Sequence, residues 1–366
     1  MKILLIEPYF GGSHKRWATE LQQHSKHELE LLTLSAHHWK WRMHGAAIAL
    51  AEKYKPGEKL PDLILATDML DLNLFLSLTR KWSSGIRTAI YFHENQLNYP
   101  WSPTDKDVYL KRDNHYAFIN YASAMAADKL FFNSAYHHAA FLNELPIFLN
   151  AFPEPNLLNT VQQIAAKSSV LSLGMDLKKL ELSETQIPEK PKRAVVLWNH
   201  RWEYDKNPEA FFRALFEIQE RGIDFHLVVL GEQYAQYPKV FDEAKEILKD
   251  KILHWGYVES QEEYAKWLHI ADVLPVTAVQ DFFGGSVVEA MYCNVVPFLP
   301  KRLAYLEHIP DALHNTFFYD ESDFVAKLQR RIMDVKYLRV MNTRQYVERY
   351  DWSNCVTNYD QTLEMV

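Results

Sequence analysis

The segment Val276-Thr277-Ala278-Val279-Gln280-Asp281-Phe282-Phe283-Gly284-Gly285-Ser286-Val287-Val288-Glu289-Ala290-Met291 places two carboxylates, Asp281 and Glu289, on either side of an aromatic–glycine turn that opens a predicted helix. Carboxylates accept hydrogen bonds from polyol hydroxyls. The unpaired N–H groups of a helix N-terminus favour phosphate, and the alternative for Glu289 is simple compensation of the helix dipole. A second loop, Asn199-His200-Arg201-Trp202-Glu203-Tyr204-Asp205-Lys206-Asn207-Pro208, carries two cations just ahead of a predicted helix. Arg201 and Lys206 suit a diphosphate whose negative charge grows as it leaves, unless Arg201 merely pairs with Glu203 or Asp205. Near the start, Gly11-Gly12-Ser13-His14 lies between an apolar run and a predicted helix. Two glycines there allow close approach of the backbone to an anion, or simply make a turn. Finally, His93-Glu94-Asn95-Gln96 follow directly on the run ending Tyr91-Phe92. Four polar side chains suit the rim of a binding crevice, with His93 the first candidate to touch substrate. The alternative is a capping and turn network.

Six of the 16 histidines and three of the 10 tryptophans fall within residues 1–60. His14, Lys15, Arg16 and Trp17, with His37, His38, Trp39, Lys40, Trp41, Arg42 and His44, mix cations with flat rings, the combination that holds phosphates and stacks exposed bases. The same stretch has a local charge of +3 in a chain of −7. A uniformly positive nucleic-acid surface is therefore excluded, whereas a local patch is not. The paired histidines, His37-His38 and His137-His138, point apart as sequence neighbours do, so no three-ligand metal constellation is expected.

Positioning these loops requires a scaffold whose strands end at them. Near-continuous apolar runs at Ile3–Ile6, Leu29–Leu34, Leu63–Ala66, Thr88–Phe92 and Lys129–Phe132 alternate with helical stretches, the pattern of strands covered on both faces of a parallel sheet. After a stretch rich in Glu, Lys and Pro at Glu181–Arg193, the same grammar returns at Ala194–Trp198, Phe225–Leu230, Leu253–Trp255, Val273–Thr277 and Val295–Leu299. With 366 residues, this predicts α/β architecture with two doubly wound Rossmann-like domains facing across a cleft: residues 1–180, residues 190–345, and a C-terminal helix over 346–366 that crosses back to the first. Val335–Met365 reads as helical and amphipathic. Two cysteines suit a reducing, cytoplasmic setting, and no apolar run approaches the roughly 18 residues of a membrane span.

Taken together, Asp281 through Glu289 resembles the acid-x7-acid motif of the retaining glycosyltransferases of family 4, which have the GT-B fold, and Arg201 with Lys206 resembles their paired diphosphate cations. The first acid of that family is usually Glu, and here it is Asp. More specifically, Gly11-Gly12-Ser13-His14-Lys15, His38-Trp39-Lys40-Trp41-Arg42, Phe92-His93-Glu94-Asn95-Gln96-Leu97 and Phe132-Asn133-Ser134 resemble the tRNA-queuosine mannosyltransferase family. The resemblance implies transfer of mannose from GDP-mannose to the cyclopentene-diol of queuosine at the wobble position of tRNA(Asp), with retention and without an obligatory metal or other cofactor. In that scheme His93, Arg201, Lys206, Asp281 and Glu289 are the catalytic set. Gly11, Gly12, Ser13, Asn199, Phe283, Gly284, Gly285 and Ser286 bind donor. His14, Lys15, Arg16, Trp39, Lys40, Trp41, Arg42, Glu94, Asn95 and Gln96 meet the acceptor RNA. Two rivals share the fold: a transferase with another sugar nucleotide or a glycolipid or saccharide acceptor, and a catalytically silent RNA- or nucleotide-binding protein.

Overall fold

The structure is a computed structural model that describes residues 1–102, 105–110, 114–153, 157–234 and 236–366. The chain divides into a first unit, Met1–Met175 with Trp352–Val366, and a second unit, Asp176–Asp351. The division therefore falls at Met175 and again at Asp351. The segment Val335–Met365, expected to be helical, holds the α-helices Val335–Leu338, Arg344–Val347 and Trp352–Glu364, with a 3-10 turn at Glu348–Tyr350. Only the last belongs to the first unit.

The first unit holds β1 (Lys2–Phe10), β2 (Glu28–Ser35), β3 (Leu63–Thr67), β4 (Arg87–Phe92), β5 (Lys129–Phe132) and β6 (Ser168–Val170). They form one parallel sheet in the order β2-β1-β3-β4-β5-β6. Alternate residues of each strand feed opposite faces. Leu4, Ile6, Ile64, Ala66, Ile90 and Phe92 enter one apolar cluster, and Ile3, Leu5, Leu63, Leu65, Ala89 and Tyr91 the other. This two-sided burial is why the runs are apolar throughout rather than alternating. The second cluster also takes in Trp352, Tyr359 and Leu363, so the C-terminal helix covers that face of the sheet.

The second unit holds β7 (Val195–Asn199), β8 (His226–Leu230), β9 (Ile252–Trp255), β10 (Val273–Pro275), β11 (Val296–Pro300) and β12 (Phe318–Tyr319). Its parallel sheet runs β12-β11-β10-β7-β8-β9. Each sheet reverses its winding once, between β1 and β3 in the first unit and between β7 and β10 in the second. At such a switch point the two flanking crossovers lie on opposite faces, and a crevice opens at the carboxyl ends of the strands. The four loops singled out above follow β1, β4, β7 and β10, three of them the very strands at a reversal. Among the described residues, no helix is long and apolar enough to cross a membrane.

Candidate active site

In the second unit, β7 ends at Asn199 and β10 leads through Thr277–Asp281 to the helix Gly285–Tyr292. Gly284 sits between them at φ +85°, and a Cβ there would come within 2.8 Å of the Tyr305 ring, so conformation and space both demand glycine. The N–H groups of Gly285 and Ser286, in the helix's first turn, have no intrahelical acceptor, and an end of this kind favours an anion. Phe283 supports this turn from behind. Its ring packs edge-on to His308 and Tyr350, and its carbonyl accepts from His308 Nε2 at 2.7 Å.

Lys206 is nearly enclosed. Its Nζ lies 3.1 Å from both Asp205 and Asp281 and donates to the Gln280 carbonyl at 2.9 Å. Burial alone would lower its pKa, but Asp281 and Asp205 outweigh that and raise it, so the ammonium form is held. For Asp281 burial pushes the pKa up, and Lys206, His200 and the Tyr305 hydroxyl together pull it below the usual carboxylate value. Tyr305 donates to the second Asp281 oxygen at 2.6 Å. Asp281 thus has both oxygens engaged.

Arg201 is half exposed and stands 3.2 Å from Glu203. The simple pairing considered from sequence is therefore present, but an exposed pair of this kind is weak enough for a diphosphate to displace. Glu289 is buried, with its Oε2 2.6 Å from the Tyr264 hydroxyl. The same hydroxyl is 3.0 Å from Asn199 Oδ1, and Asn199 Nδ2 donates to the Ser286 carbonyl at 3.1 Å. Asn199 was expected to contact the donor. Its amide instead joins the end of β7 to the helix, because a buried amide takes the nearest partners available.

In the first unit, the crevice end of β1 carries Glu7, fully buried, which accepts from the Tyr9 N–H and lies 3.1 Å from His14 Nδ1. Gly11 opens the helix Gly12–His24, and a Cβ on it would fall 2.3 Å from Ala36 Cβ, so only glycine allows the turn to close there. Ser13, Lys15 and Arg16 are exposed on the first turn. His93 packs 4.3 Å from the His14 ring and edge-on to Trp17 at 4.7 Å. The loop after β4 is anchored by Asp68, which accepts the His93 N–H at 2.7 Å, and by Asn133, which donates to the His93 carbonyl at 2.9 Å. His93 Nε2 is buried with no hydrogen-bond partner among the described residues. Burial, with His14 and His137 adding to it, pushes the His93 pKa well below normal, so its ring is neutral.

The turn-network reading holds for part of this loop. Asn95 is fully buried, and its Oδ1 accepts from the N–H groups of Leu97 and Asn98, both at 3.0 Å. The Gln96 N–H donates to Asn120 at 2.8 Å, and the Gln96 side chain donates to Glu94 at 3.0 Å. Asn95 is thus corrected from an acceptor contact to the brace of its own turn.

Glu7 and Asp68 carry no short-range signal, and the sequence reading missed both. Glu7, His14 and His93 also bring three atoms of metal-ligating type within 4.8 Å of one another, although no such grouping was expected from spacing. Strands β1 and β4 create it, since residues far apart in sequence meet at their ends. The geometry describes a hydrogen-bonded acid–imidazole pair. Burial lowers the His14 pKa, but Glu7, Asp68 and Glu94 overcome this and raise it to about 9. Burial raises Asp68 as well, partly offset by His14. Both groups therefore hold protons that the unfolded chain releases at lower pH. The His14 contribution is present below about pH 6.5 and is lost as pH rises towards 9, and that of Asp68 is lost between about pH 4 and 8. Urea unfolding of wild type should show stability falling between these values, with a shallower fall in Glu7→Gln; parallel slopes would contradict the assignment.

The aromatic and basic patch is only partly a surface. Trp17 is core, stacked on Tyr91 at 4.3 Å with its indole donating to Tyr359. Trp39 packs with Met43, Met69, Tyr116 and Trp101. Lys40 is corrected as a phosphate contact: its ammonium bonds Asp105 and Asp107 at 2.5 and 2.6 Å, within 5.9 Å of the Trp39, Trp101 and Tyr116 rings. Two carboxylates on one cation leave a negative local charge. Arg42 donates to the Ser35 carbonyl at 3.0 Å, while Trp41 remains 64% exposed.

Residues 2–175 match the family described as tRNA-queuosine alpha-mannosyltransferase N-terminal, and residues 181–348 match glycosyl transferases group 1. The chain is 34% identical over 322 residues to the tRNA-queuosine alpha-mannosyltransferase of Drosophila melanogaster, covering 86% of this chain and 83% of that one. Among solved structures it is similar to sucrose-phosphate synthase from Thermosynechococcus elongatus, with TM-score 0.73, 15% identity, and coverage of 100% of this chain and 98% of that one. Anabaena HepE in complex with UDP and glucose is similar at TM-score 0.67 and 14% identity, with both chains covered in full. These likenesses carry the fold alone. The sequence relationship carries more: the chain belongs to the tRNA-queuosine α-mannosyltransferase family and is a glycosyltransferase of GT-B fold.

Proposed function

We propose that the protein transfers mannose from GDP-mannose to the cyclopentene-diol of queuosine in the anticodon loop of tRNA, with retention at the anomeric carbon, in the cytoplasm and without an obligatory metal. The observation that carries this reading is the match of nearly the whole stretch before Met175 to the N-terminal model of that family, since the second-unit motif is common to many sugar transferases. Lys206 and Arg201 supply positive charge for the departing diphosphate, where a divalent ion would otherwise be needed. Asp281 accepts hydroxyls of the donor sugar and Glu289 the ribose diol. Part-buried Asp281 and buried Glu289 each already accept a hydroxyl of this protein, from Tyr305 and Tyr264, which is the kind of bond a sugar hydroxyl makes.

Neutral His93, with its unpaired Nε2, orients the donor sugar. Neither Asp281 nor Glu289 is free to become a nucleophile without leaving its partners. The route favoured is therefore attack on the face from which the diphosphate departs, with a leaving phosphate oxygen taking the acceptor proton. The RNA side of the reading rests on exposed Trp41, Lys15 and Arg16 rather than on Lys40.

The decisive assay offers GDP-mannose, GDP-glucose, UDP-glucose and UDP-galactose with queuosine-containing tRNA, followed by nucleoside mass spectrometry. Hexose on queuosine with GDP-mannose alone is the expected result. Sugar-nucleotide cleavage without labelled RNA would redirect the search to another acceptor. Replacement of His93 by Ala should lower turnover by about 10²-fold, in line with loss of one preorganised polar contact; wild-type turnover would remove His93 from the site.

A further inference from the structure

The imidazole of His200 has no part in the roles assigned so far. It follows the end of β7 and is 4% exposed, with Nδ1 2.9 Å from Ser286 Oγ in the first turn of the helix Gly285–Tyr292. The ring stands edge-on to Trp198 at 5.3 Å, and the His200 carbonyl accepts from the Trp198 indole at 2.8 Å, so both backbone and ring are held in place. The remaining ring nitrogen, Nε2, is buried and has no hydrogen-bond partner among the described residues. Buried polar atoms are nearly always paired, and one left open beside an anion-binding helix end marks a place for a ligand.

The charged groups acting on the ring are Asp281, Lys206 and Asp205. Burial, with Lys206 reinforcing it, drives the His200 pKa to about 4 against the opposing pull of the two aspartates. A neutral ring has one proton. When the Ser286 hydroxyl donates to Nδ1, that proton sits on Nε2, which becomes a hydrogen-bond donor.

We propose that His200 Nε2–H is a direct ligand of the sugar-nucleotide diphosphate, a third donor beside Lys206 and Arg201 that itself carries no net charge. This rests on the reading of the second unit as the nucleotide-diphosphate site. Lys206 and Asp205 bring one cation and one anion to the same place, with Asp281 a second anion, so a neutral donor binds phosphate there without further crowding of charge. As the leaving phosphate gains charge, the fixed Nε2–H bond to it strengthens without any proton changing place.

Two substitutions separate contact from bracing. His200→Asn keeps a polar atom near Nδ1, able to reach Ser286, but removes the atom at Nε2. His200→Gln does the reverse. GDP is the probe, titrated by calorimetry into the full-length protein, with thermal unfolding as the control for folding. The expected result is about tenfold weaker GDP binding by His200→Asn and near-wild-type binding by His200→Gln. Wild-type affinity in His200→Asn, or equal losses in both variants, overturns the contact. If the wild type itself binds neither GDP nor UDP, the donor reading of the second unit fails and the proposal falls with it. A second readout uses protein labelled with ¹⁵N-histidine. Saturating GDP should move the titration of the ring absent from His200→Asn upward from about pH 4, and an unmoved titration overturns the proposal.

Discussion

Lys206→Met is expected to lower kcat by about 10²- to 10³-fold while GDP-mannose still binds, measured as single turnover at saturating donor. Methionine keeps the apolar stem and removes the charge, so the loss reports the ammonium alone. The size follows from the site: Lys206 is buried, its charge is held by Asp205 and Asp281, and negative charge develops on the leaving diphosphate in a place where water screens little. The same change leaves two carboxylates facing each other without a cation. A buried pair broken in this way costs about 3–5 kcal/mol, so the second unit should also unfold at lower urea. Loss of stability with full kcat would show that Lys206 only holds its loop.

Trp352→Ala should cost the first unit about 3–5 kcal/mol in urea unfolding. The indole is fully buried, donates to Glu20 at 2.8 Å and packs edge-on to Tyr359 at 4.9 Å. Gly174 leaves it room, since a Cβ there would lie 2.5 Å from the ring. The Trp352 N–H also bonds the Met175 carbonyl at 3.0 Å, so the chain re-enters the first unit beside the point where it left. Removing the ring opens a cavity at that junction and frees the helix Trp352–Glu364, whose amides should lose protection in hydrogen exchange. A change below about 1 kcal/mol would mean that the helix contributes little to the sheet it covers.

Both effects depend on contacts between distant parts of the sequence, and the limit of what could be read in advance lies there. Ten strands were legible as apolar runs, the eight inner ones because a parallel sheet buried on both faces needs apolar residues at successive positions, as in Ile3–Ile6 and Val195–Leu197. β6 and β12 were not, being three and two residues long, with β6 largely exposed. Arg201, Lys206, Asp281 and Glu289 could be picked out because each motif lies within one loop and the helix after it. Tyr305, Tyr264, Glu7 and Asp68 complete the same sites from other elements and have no local pattern.

Composition raised the cluster of histidine and tryptophan near the start, but it could not sort rings in the core from rings on the surface. The structure puts Trp17 under Tyr91, Trp39 beside Met43 and Trp41 in solvent. It likewise turns Lys40 inward to two aspartates that follow it by more than sixty residues.

What the amino-acid sequence alone determined is therefore the kind of scaffold and the loops that carry its chemistry, because hydrophobic period and glycine–helix turns are local properties. Which charges face a ligand and which face each other was decided only by the order of strands in each sheet. That order brings β7 beside β10, and hence His200 to Ser286 and Lys206 to Asp281. Electrostatic and hydrogen-bond energies depend on such distances through space, and separation along the chain does not specify them.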